Sequence, residues 1–149
     1  MNYVSHSPED TQLFAREEAW RLTRELEGEP IVIVLEGELG AGKTTFAQAF
    51  AEALGVRDHI KSPTFVVMKN YHIDGTPGYK EFYHLDCYRL NEASDLIKLG
   101  GEEIMYEPGN IVLIEWAERV SAILPEKHLV VHIDHIAEHK RNINTHLTP

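Results

Sequence analysis

The sequence predicts an α/β fold, a central mixed β-sheet flanked by helices and carrying an inserted β-hairpin, and three observations predict it. Ile31-Val32-Ile33-Val34-Leu35 and Ile111-Val112-Leu113-Ile114 are apolar runs of the kind that form strands buried on both faces of a sheet. From Lys43 the apolar period changes to four, with Phe46, Phe50 and Leu54 in succession, which is the period of a helix laid on that sheet. The length of 149 residues is that of one compact domain with one core, so residues 1–149 are expected to fold together.

The elements follow in order. Ser7-Pro8-Glu9-Asp10 opens a helix: Ser7 caps, Pro8 suits the first helical position, and Asp10 sits where its carboxylate can reach back toward the cap. That helix is expected to run to about Glu27, burying Ala15, Ala19, Leu22 and Leu26, before Gly28 and Pro30 stop it. The strand at 31–35 leads directly into the loop from Gly37 to Gly42. Along the next helix Ala47 and Ala51 permit close approach to the sheet, and Gly55 ends it. Phe65 to Tyr71 and Lys80 to Leu85 read as the two strands of a hairpin around the turn-rich segment from Asp74 to Gly78. A short helix is expected from Ala93 to Leu99, ended by Gly100-Gly101, with a further turn from Glu102 to Tyr106. The strand at 111–114 runs into Glu115-Trp116, and Leu129 to Ile133 and Asn142 to Leu147 complete the sheet.

Composition narrows the function. Apolar residues make up 43% of the chain and no apolar run approaches the roughly 20 residues of a membrane span. The N-terminus lacks the basic start and apolar stretch of a secretory signal, so a cytoplasmic protein is expected. The single cysteine, Cys87, has no partner for an internal disulfide, and the nine histidines show no zinc spacing. A net charge of −10 should repel a nucleic-acid backbone, so any contact with nucleic acid is expected to be indirect.

Gly37-Glu38-Leu39-Gly40-Ala41-Gly42-Lys43-Thr44 satisfies G-x-x-x-x-G-K-[ST], the phosphate-binding loop, and a chance match arises on the order of once in a few hundred chains of this length. The strand before it and the helix after it supply the required context for a P-loop NTPase domain. In such a loop the backbone N–H groups of residues such as Glu38, Leu39, Gly40, Ala41 and Gly42 wrap the phosphates, and the helix N-terminus adds its positive end. Lys43 would bridge the β- and γ-phosphates of ATP, the Thr44 hydroxyl would hold Mg²⁺, and Thr45 would contact the α-phosphate. The bland alternative is a glycine-rich turn beside a snorkelling lysine.

A P-loop needs a carboxylate at the end of a neighbouring strand, and Glu115 stands there as the second metal candidate. Its competing reading is a surface glutamate past a strand end. In His84-Leu85-Asp86-Cys87-Tyr88-Arg89, alternation would put His84, Asp86 and Tyr88 on one face. Asp86 could then orient the attacking water or act on magnesium from outside its ligand shell; a solvated strand end reads equally well from these residues alone. Thr64, in Ser62-Pro63-Thr64, is placed to sense the γ-phosphate, with a simple turn as the rival reading. Trp116 beside Glu115 either packs or walls water off from a nucleotide.

Taken together, the motifs at 37–45, Lys61 to Phe65, His84 to Leu90 and Leu113 to Trp116 resemble the TsaE (YjeE) family, and they do so in order over nearly the whole chain. The resemblance implies a P-loop ATPase of weak intrinsic turnover that serves bacterial tRNA threonylcarbamoyladenosine synthesis with the TsaB and TsaD proteins, which modify adenosine 37. It also implies magnesium binding at Thr44 and Glu115, an essential acid at Asp86, and nucleotide-side positions at Thr64 and Trp116. Cys87 departs from the aliphatic residue more usual in the family, on the face opposite Asp86, and the hairpin turn is somewhat long. The family's base-holding terminal segments match too loosely for residues to be assigned. Three other classes compete: a P-loop small-molecule kinase, which would need an arginine-bearing lid where this chain offers only the isolated Arg89 and Arg119; a guanine-nucleotide switch, whose Asn-Lys-x-Asp and Asp-x-x-Gly segments are missing; and a binding module without catalysis.

Overall fold

The structure, a computed structural model, describes residues 1–38, 40–61 and 66–148. Seven strands form one mixed sheet in the order β1-β7-β6-β2-β5-β4-β3, with β1 Asn2–Ser5, β2 Ile31–Gly37, β3 Met68–His72, β4 Glu81–Asp86, β5 Asn110–Glu115, β6 Leu129–Ala137 and β7 Lys140–Leu147. β2, β4, β5 and β6 run parallel to their neighbours within the group β6-β2-β5-β4, while β3 and β7 turn back antiparallel on β4 and β6. Parallel central strands must be covered on both sides, and alternation divides their apolar residues accordingly. Ile31, Ile33 and Leu35 of β2 with Ile111 and Leu113 of β5 face α1 (Pro8–Leu26) and α2 (Lys43–Leu54). Val32, Val34, Val112 and Ile114 face α3 (Ala93–Lys98), α4 (Gly101–Tyr106) and a 3₁₀ segment, Ala117–Ile123, broken at Val120.

α1 begins as its capping residues dictate. Ser7 Oγ accepts from the Asp10 amide at 3.0 Å, and Asp10 Oδ2 reaches past the cap to accept from the His6 amide at 2.9 Å. The helix ends at Leu26 because Glu27 turns into the left-handed region at φ 45°. Ala15, Ala19 and Leu22 are buried as expected, Leu26 is half-buried, and Phe14 joins them by stacking on Tyr3 with ring centroids 4.7 Å apart. Phe46, Phe50 and Phe82 form the aromatic centre of this layer; each such side chain contributes about 1.5–3 kcal/mol on full burial.

Several boundaries differ from the sequence expectation, among them the start of β7, at Lys140 rather than Asn142. β1 was not foreseen: four residues, Asn-Tyr-Val-Ser, carry too little apolar pattern to announce an edge strand, and pairing with β7 makes it one. β5 includes Glu115, so the acid closes the strand rather than following it. β6 continues to Ala137 through polar residues, making β6–β7 a long hairpin. The hairpin β3–β4 forms around the expected turn, but β3 begins only at Met68, after bends at Val66 and Val67, and β4 is shifted by one residue to Glu81–Asp86; the expected start at Phe65 lies outside the described residues. No helix among the described residues is long and apolar enough to cross a membrane.

Candidate nucleotide site

β2 delivers the glycine loop to the carboxyl end of the parallel strands, where α/β sheets bind ligands. Gly37 has φ 146°, and a Cβ there would run into the carbonyl oxygen of Ile133 on β6. Gly40 and Gly42 have φ 81° and 107°, and a Cβ on either would meet nothing within 4 Å, so the space before the loop is open. Ala41 is fully buried; its amide donates to the Glu38 carbonyl at 3.0 Å, and its own carbonyl accepts from Arg141 Nε at 3.0 Å. Gly42 caps α2 without any side-chain hydrogen bond. The first amides of α2, including Lys43, Thr44 and Thr45, therefore keep the free donors and positive end that suit a phosphate. Thr44 is exposed, Thr45 half-buried and Glu38 exposed. Leu39 and Thr64 lie outside the described residues.

The acids stand on the neighbouring strands. Glu115 is in register with Leu35 of β2 on one side and Asp86 of β4 on the other. Alternation turns Glu115, Asp86 and His84 to the α2 face. Lys43 Nζ lies 3.8 Å from Glu115 Oε1, and His84 Nε2 lies 2.9 Å from Glu115 Oε2. His84 is 2% exposed.

Tyr88 lies just beyond the strand end: Asp86 Oδ1 accepts from the Tyr88 amide at 3.0 Å, so the chain leaves the strand at Asp86 in an Asx turn. The exposed Tyr88 ring meets Trp116, centroids 4.9 Å apart, and Arg119 lies 5.8 Å over it. Trp116 takes φ 59° and ψ 43°, a left-handed conformation that costs a non-glycine residue about 1–3 kcal/mol. That turn carries its ring to the rim, 40% exposed, with Lys43 Nζ 6.0 Å from its centroid. Cys87 points the other way and is fully buried beside Leu85.

Two cavities adjoin the loop. One, of about 400 Å³, is lined by Gly37, Glu38, Lys43, Trp116, Glu118 and His132, among others. In its wall His132 lies 3.2 Å from Glu36 and 2.8 Å from Asp134. Burial pushes the His132 imidazole down, but these two carboxylates outweigh it and hold its pKa above the usual histidine value. The other cavity, of about 80 Å³, lies beside Gly42 and Thr45 and is walled by Ser7 and Thr11 from one end of the chain and Glu138 and Arg141 from the other.

The residues present fit magnesium. Thr44 and Glu115 offer a hydroxyl and a carboxylate, hard oxygen donors that leave further positions for phosphate and water. Among the described residues no cluster of three or more His, Cys, Asp or Glu side chains forms an all-protein metal cage.

Sequence reasoning missed three features. Arg141 has no local signal, since its partner carbonyl lies 100 residues away. The His132 cluster needs the β2–β6 register to bring Glu36 opposite it. The His84–Glu115 contact was foreshadowed only by the two-residue spacing of His84 and Asp86.

Known proteins resemble the chain over nearly its whole length. The family model described as threonylcarbamoyl adenosine biosynthesis protein TsaE matches residues 5–143. The tRNA threonylcarbamoyladenosine biosynthesis protein TsaE of Treponema pallidum is 36% identical over 96% of this chain and 98% of its own length. That of Bacillus subtilis is 36% identical over 92% of this chain and 79% of its own. The crystal structure of Bacillus subtilis YdiB superposes with a TM-score of 0.73 at 31% identity, covering 99% of this chain and 84% of that one.

Proposed function

The chain belongs to the TsaE family of tRNA threonylcarbamoyladenosine biosynthesis, and from that premise we propose that it is a cytoplasmic, magnesium-dependent P-loop ATPase of slow turnover. Residues 1–149 act as one ATPase domain beside the TsaB–TsaD complex, which threonylcarbamoylates adenosine 37, and the chain meets tRNA only indirectly. The acidic balance of −10 supports that last point.

One observation carries the reading: Lys43 and Glu115 converge, at 3.8 Å, at the open end of a glycine loop whose helix N-terminus has no side-chain cap. In this reading the amides of residues 38–40 and 42 and of Thr44 and Thr45 hold the phosphates, that of Ala41 being engaged by the Glu38 carbonyl, and Lys43 spans the β- and γ-phosphates. Bound by the Thr44 hydroxyl and Glu115, magnesium supplies charge neutralisation at the phosphates. Asp86, in register with Glu115, orients the attacking water or acts on the metal through water. Trp116 covers the site at the rim, and Thr64 senses the γ-phosphate. The small cavity beside Thr45 adjoins the last loop amides and marks the side toward which the sugar and base would extend.

The test is threonylcarbamoyladenosine formation over many turnovers by TsaB, TsaD and supplied threonylcarbamoyl-adenylate, with wild-type chain or Glu115→Ala, with ATP or without nucleotide. Sustained turnover with wild type and ATP alone is expected. Equal yields in all four combinations would sink the accessory-ATPase reading.

A further inference from the structure

His84 is a costly residue for its position. It lies on the inward face of β4 between Phe82 and Asp86, 2% exposed, and an apolar side chain would pack there without leaving a polar atom dry. Its Nδ1 is buried with no hydrogen-bond partner among the described residues, a penalty that packing does not explain. Its other nitrogen makes one contact, to Glu115 Oε2 at 2.9 Å. Because the Glu115 carboxylate is an acceptor, Nε2 donates in that contact.

The consequence falls on Glu115. A glutamate has three side-chain torsions, and beside Lys43 its carboxylate could rotate to give both oxygens to the ammonium. His84 removes that freedom by occupying Oε2 from below, so only Oε1 faces Lys43 and the loop. The imidazole is itself fixed by burial in the sheet, which makes it a rigid support rather than a second mobile side chain.

We propose that His84 is a positioning residue: its Nε2–H pins Glu115 Oε2, so that Glu115 presents Oε1 alone to the metal side of the nucleotide site. This inference rests on the reading of Glu115 as a magnesium-side carboxylate. Outer partners that orient a metal-side ligand typically matter by about 10- to 100-fold in metal affinity.

The test measures binding by calorimetry, with the non-hydrolysable analogue AMPPNP, in magnesium and in EDTA; the affinity ratio is the gain due to metal. Glu115→Ala, His84→Leu, His84→Asn and His84→Gln are compared with wild type, their folding checked by circular dichroism. Glutamine can place an N–H close to the ring Nε2 position, whereas asparagine reaches only the Nδ1 position. The expected result is that Glu115→Ala, His84→Leu and His84→Asn each lower the ratio about 10-fold. Affinity in EDTA should hold, and His84→Gln should keep most of the wild-type ratio. A drop in Glu115→Ala alone would overturn the role of His84 while leaving that of Glu115. An unchanged ratio in Glu115→Ala would overturn the metal reading and the inference with it. Equal losses in Gln and Asn variants, in EDTA as in magnesium, would mean that His84 only packs. Should His84→Leu fail to fold, the Gln and Asn pair decides.

Discussion

Lys43 Nζ and Glu115 Oε1 lie 3.8 Å apart, and each side chain is only 14% exposed, so two charges assigned to opposite partners, phosphate and metal, compensate each other across the β2–β5 boundary. Two substitutions should separate their roles. Lys43→Ala removes the proposed phosphate contact and leaves Glu115 with only the His84 contact in a poorly solvated place, so nucleotide affinity should fall by tenfold or more, or about 1.5–3 kcal/mol. Glu115→Ala should lower kcat on the order of 10²-fold with a smaller effect on nucleotide affinity. Calorimetry and steady-state ATP hydrolysis measure the two quantities. Equal loss of binding and turnover in both variants would contradict the division of labour.

Arg141 ties the far end of the chain to the phosphate loop. Its Nε donates to Ala41 at 3.0 Å, and its Nη1 donates to the Ala137 carbonyl at 2.9 Å, so one guanidinium joins the β6–β7 turn to the loop backbone. A hydrogen bond from a charged donor contributes about 1.5–3 kcal/mol. Arg141→Ala should therefore weaken ADP binding by about tenfold. Arg141→Lys should not rescue it, because an ammonium cannot span two carbonyls in a fixed fork. Wild-type affinity in the alanine variant would show that the loop keeps its shape without this tie.

The sequence announced those parts of the site that depend on local pattern. The loop, its strand and its helix could be read because glycine spacing and apolar period are properties of contiguous residues, and Glu115 because an acid ending an apolar run is equally local. The contact of Tyr88 with Trp116 was not legible, because Asp86 captures the Tyr88 amide and ends the regular strand there. Trp116 could be named but not oriented, since its left-handed backbone is imposed by the turn into the 3₁₀ segment. Arg141 and His132 were out of reach altogether, because their partners are fixed by strand order β7-β6-β2 rather than by spacing.

Gly55 closes α2 at φ 97°, and a Cβ there would collide with the carbonyl of Asp74 in the hairpin connection. The same close approach lets the Asp74 amide donate to the Gly55 carbonyl at 3.2 Å. Gly55→Ala must therefore both strain the backbone and push the two segments apart. The expected cost is roughly 2–4 kcal/mol in urea unfolding, at the upper end of single-substitution effects. The neighbouring exposed Gly75, whose Cβ would meet nothing within 4 Å, should cost less on substitution by alanine, since only its φ of 95° is strained. Equal losses at the two positions would show that the collision is relieved by a shift of the connection.

His132 should make stability depend on pH in a defined direction. Burial lowers its pKa, but hydrogen bonds to Asp134 and Glu36 prevail and the folded value lies above the ordinary one of about 6.5. A raised folded pKa means that the folded chain holds the proton more tightly than the unfolded chain. The resulting stabilisation is complete below about pH 6.5 and is lost as pH rises through the folded pKa. His132→Gln keeps the size of the side chain but cannot take the charge, and titrations elsewhere cancel when it is compared with wild type. Urea unfolding at pH 5.5 and 8.5 should therefore show a wild-type advantage that is larger at the lower pH. The side chain is 40% exposed, so solvent screening keeps the difference small and added salt should shrink it further. An advantage that grew with pH would mean that the imidazole sits neutral between its two acids, and a ring titration by NMR would then place its pKa below the ordinary value.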